Sequence, residues 1–247
     1  MSAYNSKPVK MLHGSINRYD HSRGELRRRF CRFLLREIGF KFLARVDSVE
    51  GWENVPKKGA AILIINHIGF IDPVMMVHIV FRDIIPLAKA EVYKIPGWGI
   101  FPWLWGVIPV KREGVDRRAI QAALRVLEAG EIILVAPEGT RNPQMERAKE
   151  GAAYLASRSG ASIIPVAIQG TIGFPSLPFL PRWNEPGVHV QFGRPFQFKS
   201  EFNRAGREQL RLMADEAMYI LATMLPEHLR GFYRDLSKAT QQTIEWL

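Results

Sequence analysis

With 247 residues and 47% hydrophobic side chains, the chain can fill the core of one large α/β domain. No Gly/Ser tract, charge block or fixed-period repeat divides it. A single cysteine, Cys31, excludes an internal disulfide and fits a reducing compartment, where it reads as a small apolar residue.

The net charge of +10 is unevenly placed. Residues 1–20 show no apolar core of a secretory signal. From Arg23 to Arg45 there are eight basic and two acidic residues. Leu26, Phe30, Phe33, Leu34, Ile38 and Phe42 recur there at helical spacing, with Arg28, Arg29, Arg32 and Arg36 on other faces. Residues 1–45 are therefore expected to form a basic amphipathic helical segment on an anionic membrane, its phenylalanines entering the interface and its arginines meeting lipid. A helix packed on the domain with a solvated basic face is the plainer alternative. Nucleic-acid binding lacks any accompanying aromatic-basic sheet motif or zinc spacing.

Residues 46–247 read as the α/β domain. Val46 to Glu53 is an edge strand, followed by a turn at Pro56–Gly59. Ala60 to Ile65 is apolar without alternation, as expected of a central strand covered on both faces. A helix runs from Asp72 through Val80, with Asp72 as cap and Pro73 at its first position. Ile84 to Ala88 is a short strand whose Pro86 suggests an edge or irregular end. Ile95 to Val110 is an apolar loop, too rich in Pro and Gly and too short to span a bilayer. Within it, Val107 to Val110 is a strand. A helix through Ile120, Leu124 and Leu127 stops at Gly130. Ile132 to Ala136 and Ile163 to Ile168 are further buried strands separated by a helix from Lys149 to Ser159. Val188 to Phe192 is a more alternating strand. Residues 203–225 and those from Glu227 onward read as helical. The fold class is thus α/β, a mixed or largely parallel central sheet flanked by helices.

In such sheets, sites form in the loops at strand ends. The strand at Ile65 runs straight into Asn66-His67-Ile68-Gly69-Phe70-Ile71-Asp72. An imidazole held by a carboxylate is what is needed to take a proton from a hydroxyl near neutral pH. The His-x4-Asp spacing alone is weak, because six histidines and seven aspartates give roughly 0.2 chance matches, and His78 to Asp83 is a second one. His78, however, lies inside an apolar helix and is expected to be packed. Strand end, preceding Asn and following Gly together single out His67. The strand at Ala136 likewise leads into Pro137-Glu138-Gly139-Thr140-Arg141, where Gly139 permits close backbone approach and Arg141 offers a planar fork for phosphate or carboxylate. The two loops are expected to meet at one edge of the sheet. The histidines show no pair at metal-ligand spacing on a common element, so no metal is expected.

Taken together, these blocks resemble the glycerolipid acyltransferase family, most closely its bacterial 1-acyl-glycerol-3-phosphate acyltransferases. Asn66-His67-x4-Asp72 resembles the catalytic block, Val107-Ile108-Pro109-Val110-Lys111-Arg112 the second, Pro137 to Arg141 the third, and Ile163-Ile164-Pro165-Val166 the fourth. Lys89-Ala90-Glu91 is also similar, and Ile108 stands where the second block often has Phe. Agreement runs from about Gly51 to Gln169.

The resemblance implies transfer of a fatty acyl group from acyl carrier protein or coenzyme A to the sn-2 hydroxyl of lysophosphatidic acid, giving phosphatidic acid. Glycerol-3-phosphate or another lysophospholipid is the alternative acceptor. It implies His67 as general base and Asp72 as its orienting carboxylate. Arg112 and Arg141, helped by Lys89, bind the acceptor phosphate. Glu138 orients Arg141 or bonds the glycerol backbone, and Gly139 and Thr140 complete the substrate-binding turn. Backbone N–H groups after the Gly139 turn or near Gly69 are the candidates to hold the oxyanion. No cofactor is implied beyond the thioester co-substrate. The protein is expected on the cytoplasmic face of the cell membrane, peripheral or monotopic. The apolar stretches Ile95–Val110, with its Trp98-Phe101-Trp103-Trp105 cluster, and Ile172–Leu180 are expected to line an acyl groove, to dip into the bilayer or to pack in the core.

Overall fold

The computed structural model describes residues 24–96, 99–111 and 114–247. Its centre is a mixed sheet of nine strands: β1 (Val46–Glu50), β2 (Ala61–Ile65), β3 (Ile84–Lys89), β4 (Ile108–Val110), β5 (Ile132–Val135), β6 (Ser162–Gln169), β7 (Val188–Phe192), β8 (Phe196–Phe198) and β9 (Ile244–Trp246). The main path runs β1-β7-β6-β2-β5-β3-β4, and β8 joins β6 to β9. Strands β6, β2, β5, β3 and β4 are mutually parallel, whereas β7 and β8 run antiparallel to β6.

The apolar run in β2 has a direct cause. Successive side chains point to opposite faces, and both faces are covered. Ala61, Leu63 and Ile65 pack with Met75 and Met76, while Ile62 and Ile64 pack with Ala123, Val126 and Leu155. The first layer is α1 (Glu25–Leu34), prolonged by a π-helical turn at Leu35–Gly39 and a last turn at Phe40–Leu43, together with α2 (Asp72–Ile79). The second is α4 (Arg117–Glu128), α5 (Gly151–Ser159) and α6 (Arg207–Thr223). A short helix α3 (Ile100–Trp105) forms inside the stretch expected to be loop, and Gly106 ends it at φ 82°. In α4 the start is chemical: Asp116 accepts the N–H groups of Arg118 and Ala119, each at 3.1 Å.

Three expectations are corrected. Strand β3 is interior, between β5 and β4; it pairs β5 through Ile84–Pro86 and then β4 from Leu87, so Pro86 falls where the strand changes partner. The chain after Pro226 makes short 3₁₀ turns and strand β9 rather than a helix. There the buried Glu216 carboxylate collects the N–H groups of Gln242 and Thr243 and the hydroxyls of Thr240 and Thr243, which fixes that segment across α6. Strand β8 was not anticipated.

The third correction is the orientation of α1. Two of its arginines, Arg28 and Arg32, are turned inward, while Arg27, Arg29 and Arg36 are exposed. Arg28 and Arg32 pair with Asp83 at 2.6 and 2.5 Å, and Arg32 also donates to the Phe81 carbonyl. Arg36 donates to the carbonyl of His78 at 3.2 Å. Arg28 is 2% exposed, whereas Leu26, Phe30, Phe33, Ile38 and Phe42 are all exposed. The cause is the acid and the row of carbonyls left at the end of α2, which take the guanidinium forks. Only the part of the 1–45 segment from Gly24 onward lies among the described residues.

Candidate active site

Because β2, β5, β3 and β4 are parallel, their C-terminal ends open onto one edge, and the candidate residues lie at or just after those ends in the sequence. Asn66 locks the end of β2. Its amide donates to the Ile168 carbonyl and accepts the Ile168 N–H, both at 2.8 Å, extending the ladder to β6 through a side chain.

The following loop is wound around one carboxylate. Asp72 Oδ2 lies 2.8 Å from His67 Nδ1 and accepts the N–H groups of Ile68 and Gly69 at 2.9 Å each. Asp72 therefore binds backward into the loop, and no side-chain cap hydrogen bond starts α2, contrary to the expected cap. With Nδ1–H held by the carboxylate, Nε2 is left as the basic nitrogen. The His67 side chain is 17% exposed and that of Asp72 is fully buried, so a substrate reaches the base but not its partner. Gly69 is required by crowding: a Cβ there would stand 2.5 Å from Thr171 Oγ1. Thr171, at the end of β6, was not singled out from sequence, since a lone buried threonine carries no local signal.

The second loop meets the first as expected. The N–H of Asn142 donates to the His67 carbonyl at 2.9 Å, and the His67 N–H points to Glu138 Oε1 at 3.4 Å. Glu138 Oε2 accepts the N–H of Glu146 at 2.8 Å. Its carboxylate thus clamps two backbone segments, in place of the expected bond to Arg141. Burial pushes its carboxyl up to about 7, outweighing the two N–H groups that favour the ion. Gly139 turns at φ 72°, and the Lys149 side chain packs beside it. Thr140 and Arg141 are exposed, with the Arg141 guanidinium 5.5 Å from the centre of the Phe70 ring. Lys89 is exposed at the end of β3 and pairs with Glu91 at 3.6 Å. Arg112 and Trp98 lie outside the described residues.

Of the candidate oxyanion donors near Gly69, the N–H groups of Ile68 and Gly69 are committed to Asp72. His78 is packed, as expected. It stacks on Phe40 at 3.9 Å and is lowered to about 4 by burial and then by Arg36, while Asp83 is taken by arginines. Burial likewise raises the Cys31 thiol. Among the described residues no cluster of three or more His, Cys, Asp or Glu is placed to hold a metal.

Beside the pair lies an apolar cavity of about 210 Å³. Phe70, Val74 and Val77 form one wall, Cys31 and Leu35 of α1 another, and Phe101 and Trp105 of α3 a third. Trp105 is fixed by its indole N–H, which donates to the Ile84 carbonyl at 2.7 Å.

The described residues thus bring together a strand-end imidazole held by a buried carboxylate, the exposed Arg141 over Phe70, and an apolar hollow that shares Phe70. The family model described as Acyltransferase matches residues 46–169, and the chain belongs to that family. It is 35% identical over 130 residues to a 1-acyl-sn-glycerol-3-phosphate acyltransferase of Borreliella burgdorferi, covering 51% of this chain and 52% of that one. It is 30% identical over 119 residues to the enzyme of the same name from Bacillus subtilis, covering 48% of this chain and 60% of the relative. The crystal structure of the 1-acyl-sn-glycerophosphate (LPA) acyltransferase PlsC from Thermotoga maritima superposes with a TM-score of 0.50 at 25% identity, over 79% of this chain and 75% of that one.

Proposed function

We propose that the protein transfers a fatty acyl group from acyl-ACP or acyl-CoA to the sn-2 hydroxyl of lysophosphatidic acid, forming phosphatidic acid. The observation that carries this reading is the His67–Asp72 pair, reachable at its imidazole, beside an apolar cavity that shares Phe70 with the Arg141 contact. The names of the similar acyltransferases support the acceptor.

In the proposed step His67 Nε2 takes the hydroxyl proton as the oxygen bonds to the thioester carbonyl carbon. The tetrahedral adduct then collapses, the carbon–sulfur bond breaks, and the imidazolium returns its proton to the leaving thiolate. Asp72 holds the ring in the tautomer with Nε2 free and balances the imidazolium charge. The acceptor hydroxyl attacks directly, so no enzyme nucleophile is needed. Arg141, with Arg112 and Lys89, receives the acceptor phosphate, and the cavity takes an acyl chain.

No helix among the described residues is long and apolar enough to cross a membrane. The outward apolar row of α1 is the proposed contact with the cytoplasmic face of the cell membrane. Glycerol-3-phosphate or another lysophospholipid remains the alternative acceptor, because the same base and phosphate groups serve it. The test is an assay of the purified chain with acyl-ACP and acyl-CoA against lysophosphatidic acid, glycerol-3-phosphate and a phosphate-free monoacylglycerol. Phosphatidic acid formed in strong preference supports the reading, and equal use of the phosphate-free acceptor overturns it.

A further inference from the structure

Ile172, Leu177, Phe179 and Leu180 form an apolar cluster on the loop between β6 and β7, exposed by 53%, 44%, 80% and 41%. None of them lines the cavity beside His67. Neither groove nor core therefore accounts for them.

The loop is built to hold these side chains outward. Phe174, 4% exposed, is its buried foot; it meets Trp183 edge-on at 5.9 Å and lies 4.0 Å beneath the Arg182 guanidinium. Arg182 donates to the carbonyls of Ile172 at 2.8 Å, Pro186 at 2.9 Å and also Gly170. At the tip, the Leu180 N–H donates to the Leu177 carbonyl at 2.9 Å.

The loop is joined to α1 as well. The Ser176 N–H donates to the Leu43 carbonyl at 3.1 Å, next to Phe42, the last member of the outward row of α1. Residues 171–184 contain no acid, and the adjoining segment from Arg23 to Arg45 carries eight basic residues against two acidic ones. A fixed apolar tip without negative charge, beside a basic segment, is complementary to an anionic bilayer surface.

We propose that the 172–180 loop is a second membrane-contacting element, a wedge seated in the bilayer interface alongside α1. The proposal rests on the lipid-acyltransferase reading of the site. It is tested on the full chain carrying Cys31→Ser and Phe179→Cys, labelled at 179 with nitrobenzoxadiazole. Phosphatidylcholine vesicles containing phosphatidylglycerol should raise the label's emission several-fold, and brominated lipid should quench it. A label at Glu201→Cys should stay unchanged. Replacing Leu177, Phe179 and Leu180 together by Ser should weaken vesicle partition roughly tenfold or more, with the unfolding midpoint unchanged. A water-like label on protein that pellets with vesicles overturns the wedge, as does lipid-free dimerisation abolished by the same triple variant. Acyl transfer by the unsubstituted, unlabelled chain on the same vesicles separates the two readings. Turnover with an unburied label defeats only the wedge, and a buried label without turnover on any acceptor defeats only the transferase reading.

Discussion

Asp72 Oδ2 sits 2.8 Å from His67 Nδ1 while also accepting two backbone N–H groups of the intervening loop. One oxygen thus sets the loop path and the imidazole orientation, whereas the other, Oδ1, is buried without a hydrogen-bond partner among the described residues. Asp72→Asn should therefore place an amide N–H₂ where nothing accepts it, or turn it toward the loop donors. We expect a fall in kcat of roughly a hundredfold or more, with acceptor KM little changed. His67→Ala should lower it further, by roughly ten-thousandfold, with the fold intact by circular dichroism. Near-normal turnover in His67→Ala would sink the mechanism.

Glu138 gives a pH signature. Its carboxyl is near 7 folded against an ordinary 4.5, so the folded state binds the extra proton between those values. Its contribution to stability is full below about 4.5 and is withdrawn as pH rises to 7. His78 acts oppositely: folded near 4 against an ordinary 6.5, it stabilises above 6.5 and loses that contribution as pH falls toward 4. The two slopes oppose each other in the native protein. Glu138→Gln should leave the His78 slope uncovered, so stability by urea unfolding should climb more steeply between pH 4.5 and 6.5 than in the native chain. The added difference is on the order of 2 kcal/mol. Parallel curves would show that Glu138 ionises as an ordinary carboxylate.

What could be read from the sequence followed from local rules. The unalternating β2 and β5 required cover on both faces, and their parallel pairing made the meeting of the His67 and Glu138 loops a consequence of topology. The packed state of His78 was legible from its apolar helix. What escaped was set by distant partners. Arg28 and Arg32 turn inward because Asp83, some fifty positions away, waits there. The tail after Pro226 is held by Glu216 rather than by its own propensity. Glu138 was expected beside Arg141, but burial and two N–H groups draw it toward the His67 backbone.

Arg141 is exposed, its guanidinium over the Phe70 ring, and is the side chain proposed to meet the acceptor phosphate. Arg141→Ala should raise the acceptor KM, lowering kcat/KM roughly 10- to 150-fold, the equivalent of ~1.5–3 kcal/mol for a charge-assisted bond. Lys should restore only part, lacking the bidentate fork. Initial rates across acceptor concentrations decide this; an unchanged KM in Arg141→Ala removes it from the phosphate site.

The orientation of α1 separates two kinds of variant on one helix. Arg28 reaches Asp83 with its side chain only 3% exposed, so Arg28→Glu sets two carboxylates against each other in a buried site. Losing one partner of such a pair costs about 3–5 kcal/mol, which lowers the unfolding midpoint by roughly 10 °C in a chain of this size. Arg29, 73% exposed and paired with Glu25 one turn away, should tolerate the same change within about 0.5 kcal/mol. Phe30→Ser with Phe33→Ser removes two exposed rings and should leave the midpoint unchanged. That double variant should nonetheless lose vesicle binding, because the apolar row faces outward while the inner arginines are spent on the domain. Sedimentation with anionic vesicles, beside thermal unfolding of each variant, is the measurement. If the Phe30/Phe33 variant still pellets as the native chain does, the row on α1 is not the membrane face.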